Sequence, residues 1–167
     1  GVLFGCNPRA SADVISTVRR HTKLPVIAKL TPNVTDITEM ARSVVDAGAD
    51  AVSLINTLVG MAVDIEARRP ILGNVTGGLS GPAIKPVALA MLWKVRQAVD
   101  VPLLGLGGIS STQDALEFLI TGASAIQVGT ATFVKPGAAA DIVAGLGDYC
   151  RKAGIARLDD LVDSLKS

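Results

Sequence analysis

Aromatic side chains are scarce in this 167-residue chain, which has one Trp, one Tyr and three Phe. Single-stranded nucleic acid is held by several aromatics stacked along one surface, so that class of partner is excluded. An excess of one charge is lacking too. Sixteen basic against 15 acidic residues leave a formal net charge of +1, which removes the electrostatic basis for binding nucleic acid or a polyanionic surface. Histidine occurs once, at His21, and cysteine twice, at Cys6 and Cys150. The cysteines are far apart and match no metal or redox spacing, so two free thiols in a reducing cytoplasm are expected. No apolar run approaches the ~20 residues a membrane helix needs. The first residues do not read as a secretory leader. A soluble cytoplasmic protein without membrane or metal is the expectation.

The chain is rich in core-forming residues, with 49% hydrophobic content, and its length suggests a single domain over residues 1–167. Gly1-Val2-Leu3-Phe4-Gly5 has no initiating Met and starts in mid-pattern, as if cut from something longer.

Asn7-Pro8 is a turn signal, and Ser11 is placed to cap a helix running to about His21, with Val14, Ile15 and Val18 as its apolar stripe. Leu24–Leu30 reads as a strand buried on both faces. Asp36 opens a second helix with Ile37, Met40, Ala41, Val44 and Val45 at helical spacing, closed by Gly48. Ala51–Asn56 is the next strand. From Thr57 to Pro82 the pattern loses any helical period, and alternation in Met61–Ile65 and Ile71–Val75 suggests a hairpin excursion. Long loops of this kind are usually functional or mobile. A helix is predicted over Lys85–Val99, carrying Val87, Leu89, Leu92, Trp93 and Val95.

Two apolar runs follow, Val101–Leu106 and Ala125–Val128, each ending in glycine and separated by a helix-like segment of crossover length. A helix from Gly137 or Ala138 to Lys152 and an amphipathic segment with Leu158, Leu161, Val162 and Leu165 close the chain. Leu24-Pro25-Val26-Ile27 echoes Val101-Pro102-Leu103-Leu104, and Ala47–Val52 echoes Thr121–Ile126. A strand-helix-strand unit therefore occurs twice. Four parallel strands fit an open doubly wound sheet or part of an eight-stranded α/β barrel. The barrel is favoured because the candidate polar residues all lie at strand C-termini, where barrels place their sites. Such barrels take ~250 residues, so this chain is expected to supply roughly the C-terminal half of a (β/α)8 TIM barrel.

Gly107-Gly108 and Gly129-Thr130 fall at consecutive strand ends. There bare backbone N–H groups can converge on an anion and a Thr hydroxyl can add a donor. The spacing is neither a Walker loop nor a dinucleotide fingerprint. Lys29 lies inside an apolar strand; its ammonium either snorkels from the rim or enters the barrel mouth to stabilise negative charge on a bound ring or oxyanion. Asn56, with Thr57, is either a turn former or a carboxamide suited to an imide or carboxylate edge. Gly77-Gly78-Leu79-Ser80-Gly81 is a hinge or a backbone brought close to a planar ligand. His21 reads as a solvated helix cap and Cys6 as an inert thiol. No general base, nucleophile motif or metal cluster is evident.

Five ordered motifs then carry a family resemblance: Ala28-Lys29-Leu30-Thr31-Pro32-Asn33-Val34-Thr35-Asp36, Ser53-Leu54-Ile55-Asn56-Thr57, Asn74–Pro86, Gly105-Leu106-Gly107-Gly108-Ile109 and Gln127-Val128-Gly129-Thr130. Together they resemble the catalytic subunit of class 1B dihydroorotate dehydrogenase, the NAD-linked bacterial type. The resemblance implies an FMN-dependent barrel enzyme that oxidises dihydroorotate to orotate in pyrimidine (UMP) biosynthesis. It implies that Lys29 contacts the flavin ring, that Ile55 and Gly81 approach the FMN, and that Gly107, Gly108, Gly129 and Thr130 hold its phosphate. Asn56 and Thr57 would bind the substrate.

The resemblance also implies a homodimer and a separate iron-sulfur flavoprotein subunit, through which FAD, an iron-sulfur cluster and NAD are reached. The family's base is a cysteine on a loop upstream of everything shown here. Cys6 does not match it, so no catalytic residue is assigned in this chain and the chain alone is expected to be inactive. A dihydropyrimidine dehydrogenase-like flavoenzyme domain and a non-catalytic flavin-binding half barrel are the competing readings.

Overall fold

The computed structural model describes residues 2–166; Gly1, where the mid-pattern start begins, and Ser167 lie outside the described residues. Helices α1 (Val2–Gly5) and α2 (Pro8–His21) lead into β1 (Ile27–Leu30), followed by α3 (Ile37–Asp46) and β2 (Ala51–Leu54). An excursion carries the short strands β3 (Leu58–Met61), β4 (Val63–Asp64), β5 (Arg69–Pro70) and β6 (Thr76–Leu79). Then come α4 (Lys85–Arg96), β7 (Leu103–Leu106), α5 (Thr112–Thr121), β8 (Ala125–Gln127), α6 (Ala131–Val134) and α7 (Ala138–Ala153).

The main sheet is four-stranded in the order β1-β2-β7-β8, and every pair is parallel. A doubly wound sheet reverses its strand order at a switch point. Here the order never reverses, and the residues of one face, Ala28, Leu30, Val52, Leu54 and Leu103, are buried with Met40, Val44, Leu92, Val95, Phe118 and Leu119 of the helices. On the opposite face Ile27, Lys29, Ala125 and Gln127 are exposed. Sequential strands with their helices on a single face are the arrangement of a barrel segment. The predicted burial of the first strand on both faces is therefore corrected: β1 alternates, with Ala28 and Leu30 under the helices and Ile27 and Lys29 on the open side.

Local chemistry explains the helix boundaries. Asn7, rather than Ser11, caps α2, its side chain accepting from Ala10 N. Pro8 then takes the first helical position, where its missing N–H costs nothing. Ser11 is buried one turn in, its hydroxyl donating to Phe4 O at 2.7 Å. Val14 and Val18 are exposed and only Ile15 packs on the core, so the expected stripe on α2 is narrower than read. Asp36 caps α3 as predicted, and α5 starts with a reciprocal capping box between Ser111 and Asp114. The α4 helix ends at Arg96, short of the predicted Val99. The last amphipathic segment is a single tight turn, Leu158–Leu161, with Leu161 buried. Arg19 pins α2 to the entrance of β1: its guanidinium donates to Asp50 (2.7 Å) and to the carbonyls of Thr22 and Leu24.

The excursion is a hairpin, with ladders displaced from those read in the sequence. Leu58–Met61 pairs antiparallel with Thr76–Leu79, and Val63–Asp64 with Arg69–Pro70. Gly77 and Gly78 thus belong to a strand and not to a hinge. A Cβ on Gly77 would meet Leu72 and one on Gly78 would collide with Thr57, so close side-chain approach explains both residues.

Candidate functional site

The C-terminal ends of all four parallel strands open on one cavity of about 630 Å³. Lys29 enters it from β1, Ile55, Asn56 and Thr57 from the end of β2, Gly107 and Gly108 from the end of β7, and Gly129 and Thr130 from the end of β8. Ser80, Gly81 and Pro82 reach it from the excursion. Every residue that the family resemblance assigned to FMN or substrate thus lines the same cavity, whereas Gly77, Gly78 and Leu79 do not. His21 and Cys6 do not: His21 is exposed with Nδ1 2.8 Å from Thr17 O, and the exposed Cys6 thiol donates weakly to Asn33 O.

The two glycine turns present an array of free donors. Among the described residues, the backbone N–H groups of Gly107, Gly108, Gly129 and Thr130 find no acceptor within the chain. Gly107 and Gly108 have positive φ, 129° and 76°. A Cβ on Gly108 would stand 2.8 Å from Gly81 O and 2.9 Å from Lys85 N, so a side chain at this position would collide with the backbone that leads into α4. Gly129 has open space around it. Unpaired N–H groups that converge without side-chain bulk make a cradle for a phosphate. Thr130 ties the second turn to the excursion, its hydroxyl donating to Ser80 Oγ at 2.8 Å.

The substrate-side candidates are held by Asn33, whose amide donates to Thr57 O at 2.9 Å and accepts from Val59 N at 3.0 Å. Asn56 Oδ1 accepts from Thr57 N. Its amide nitrogen makes no hydrogen bond among the described residues and is free to donate. Lys29 sits on the open face in register with Ser53, and no carboxylate lies within ion-pair distance of its ammonium among the described residues. Next to it, Ser53 Oγ donates to Gln127 Oε1 at 2.8 Å, bridging from β2 to β8 over β7. A free cation, a free amide and a row of free N–H groups therefore face one space.

Sequence reasoning gave no role of their own to the side chains of Ser80, Gln127 and Lys85, which it met only inside longer motifs, and it missed Asp114. Lys85 begins α4, where the helix dipole disfavours a cation, and the Ser111-x-x-Asp114 spacing is a capping-box signature; both signals were available. Lys85 is bound by Asp114 at 2.6 Å and Glu117 at 2.9 Å. These carboxylates raise its pKa above the ordinary lysine value, against the opposing effect of burial. Burial by itself would raise the Asp114 carboxyl, but the Lys85 ammonium and the Ser110 and Ser111 donors outweigh it and hold the group well below the usual carboxylate range.

Residues 2–149 match the family model described as dihydroorotate dehydrogenase. The chain is 59% identical over 166 residues to a protein of Geotalea daltonii named dihydroorotate dehydrogenase B (NAD(+)), catalytic subunit, covering 99% of this chain and 54% of that protein. A protein of the same name from Pelobacter propionicus is 56% identical, with 99% and 55% covered. The chain thus spans about half the length of these curated relatives. A crystal structure of a DHODH from Eimeria tenella in complex with ferulenol superposes with a TM-score of 0.78 at 21% identity, over 95% of this chain and 48% of that one. At that identity the likeness speaks to the fold alone, and it places the sheet and helices in the same barrel architecture. Among the described residues no helix is long and apolar enough to cross a membrane.

Proposed function

The chain belongs to the dihydroorotate dehydrogenase family, and from that premise we propose that it forms, as one domain over residues 1–167, the FMN- and substrate-holding C-terminal half of a cytoplasmic NAD-linked dihydroorotate dehydrogenase. The reaction is oxidation of dihydroorotate to orotate in pyrimidine biosynthesis. The observation that carries this reading is that Gly107, Gly108, Gly129 and Thr130, whose backbone N–H groups have no acceptor among the described residues, line the same cavity as Lys29 and Asn56.

The residues present fit a flavin mononucleotide. Its phosphate matches the N–H cradle, since a dianion needs donors without side-chain bulk. Lys29, free of any carboxylate, stabilises negative charge at the ring end of the cavity, where a preorganised cation counts for more than it would in water. Ile55 and Gly81 supply apolar and backbone surface against the ring. Asn56, with a free amide, and Thr57, fixed by Asn33, orient the substrate's polar edge. A bound FMN supplies the two-electron acceptor that this oxidation requires.

No cysteine lines the cavity, and no residue of this chain is assigned as the proton acceptor; the 167-residue chain alone is inactive in this reading. The relatives' names, a catalytic subunit of the NAD(+) type, support a separate electron-transfer subunit; that it carries FAD and an iron-sulfur cluster follows from the family resemblance. A homodimer is assigned by the same resemblance.

The test is anaerobic titration of the protein expressed from its full reading frame. Dihydroorotate bleaches the visible flavin absorbance, dihydrouracil does not, and extraction releases FMN. A protein that takes up no FMN, or that responds to dihydrouracil and not to dihydroorotate, overturns the assignment.

A further inference from the structure

A lysine that opens a helix beside a phosphate cradle invites assignment as a direct phosphate ligand. The geometry excludes it. The Lys85 ammonium is turned onto Asp114 and Glu117 and is absent from the cavity lining. Shared between two carboxylates, it has little charge left to offer an anion.

Asp114 divides its two oxygens between different tasks. Oδ1 accepts from Lys85 Nζ, while Oδ2 accepts from the backbone N–H and the hydroxyl of both Ser110 and Ser111, each at 2.9 Å. Ser110 and Ser111 directly follow the turn Gly107-Gly108-Ile109, so the carboxylate fixes where that turn ends. At the other side of the turn, Gly108 lies against the backbone N and Cβ of Lys85, with 2.9 Å to either from an added Cβ. The turn is thus held between two residues that are themselves joined by an ion pair. The pair belongs to the first turns of two different helices, α4 and α5.

We propose that Lys85 and Asp114 are positioning residues for the phosphate turn, holding Gly107–Ser111 in the shape in which its free N–H groups meet those of Gly129 and Thr130. The inference rests on the phosphate role proposed above and adds the residues on which that geometry depends. A carboxylate that only capped α5 would support the helix and leave no mark on phosphate recognition. A positioning pair affects the phosphate end of a ligand and spares the ring end.

The experiment compares FMN with riboflavin, which lacks the phosphate, by flavin-fluorescence titration of the apoprotein made from the full reading frame. The wild type prefers FMN. In Asp114→Asn and Lys85→Met this preference narrows by about tenfold or more, the scale on which supporting residues act on a bound group, while riboflavin affinity and the far-UV circular dichroism stay unchanged. Lys85→Arg, which keeps the cation, restores the preference. An unchanged preference in both variants, or equal weakening of the two ligands, overturns the positioning role. A wild type that binds both equally overturns the phosphate reading itself. Should Asp114→Asn fail to fold, Lys85→Met leaves the capping box intact and carries the test.

Discussion

Thr130 at the end of β8 donates its hydroxyl to Ser80 at 2.8 Å, across fifty positions of sequence. The bond closes the cavity between the parallel sheet and the excursion, and leaves the Thr130 N–H free for the cradle. Thr130→Val removes the bond and keeps the shape. On the proposed phosphate role, FMN affinity of the protein made from the full reading frame should fall several-fold, consistent with the ~1 kcal/mol net value of one hydrogen bond, and the melting temperature should move little. Fluorescence titration and thermal denaturation on the same preparation check both halves.

The two glycine turns should respond differently to alanine. Gly108→Ala places a Cβ 2.8 Å from Gly81 O on a residue with φ 76°, a combination that costs about 1–3 kcal/mol. Gly129→Ala has nothing within 4 Å to meet and should fold as stably as the wild type. Denaturant unfolding of the two variants makes the comparison, and equal destabilisation would contradict the packing described for Gly108.

Lys29→Met tests the cation on the open face. With no ion pair among the described residues to break, it should leave stability within about 0.5 kcal/mol. On the proposed function, the rate of dihydroorotate-dependent flavin bleaching in the protein made from the full reading frame should drop by about 10²–10³, as on loss of a charge-stabilising group in a water-poor site. Stopped-flow absorbance under anaerobic conditions reads the rate directly.

Asp114 predicts an acid limb. Its carboxyl lies below the usual value of 3.8 in the folded protein, so the folded state binds fewer protons than the unfolded one as the pH falls. The stabilisation is fully present above the unfolded value and is lost as pH drops through about 4 and below. Lys85 acts at the other end. Raised above 10.5, it stabilises below that pH, and the effect is lost as pH rises through the folded value. Melting temperature followed from pH 3 to 7 should fall less steeply in Asp114→Asn than in the wild type.

Phe118→Ala tests the covered face. Phe118 is fully buried in α5, against Gly105, where an added Cβ would clash with its ring. The truncation should cost about 3–5 kcal/mol, read as a shift in the denaturant midpoint without a change in slope.

The strands, crossover helices and glycine turns were legible because each rests on a local signal: an apolar run ended by glycine, or an Asp36-type cap ahead of a 3.6-residue period. Burial was harder to read. Ile27 belongs to an apolar run that looks wholly internal, yet it is exposed, because it lies on the face of the edge strand β1 that points away from the helices. Ser11 failed as a cap because Asn7, followed by Pro8, offered a stronger start four residues earlier. The ladders of the excursion were misplaced because Gly77 and Gly78 look like turn residues. Their role as strand residues depends on Thr57 and Leu72, which no local window contains. Lys85 and Asp114 stand 29 positions apart, and only the fold brings them together.

The excursion lengthens the crossover from β2 to β7 to a little over twice that from β1 to β2. Closure entropy rises only with the logarithm of loop length, and a doubling adds about 0.6 kcal/mol. Its four strands form two separate two-stranded ladders and pair with none of the parallel strands. The segment that brings Ser80 and Gly81 to the cavity can therefore change length or sequence over generations while every parallel register stays fixed, so the shape of the ligand space can evolve separately from the barrel wall that supports it.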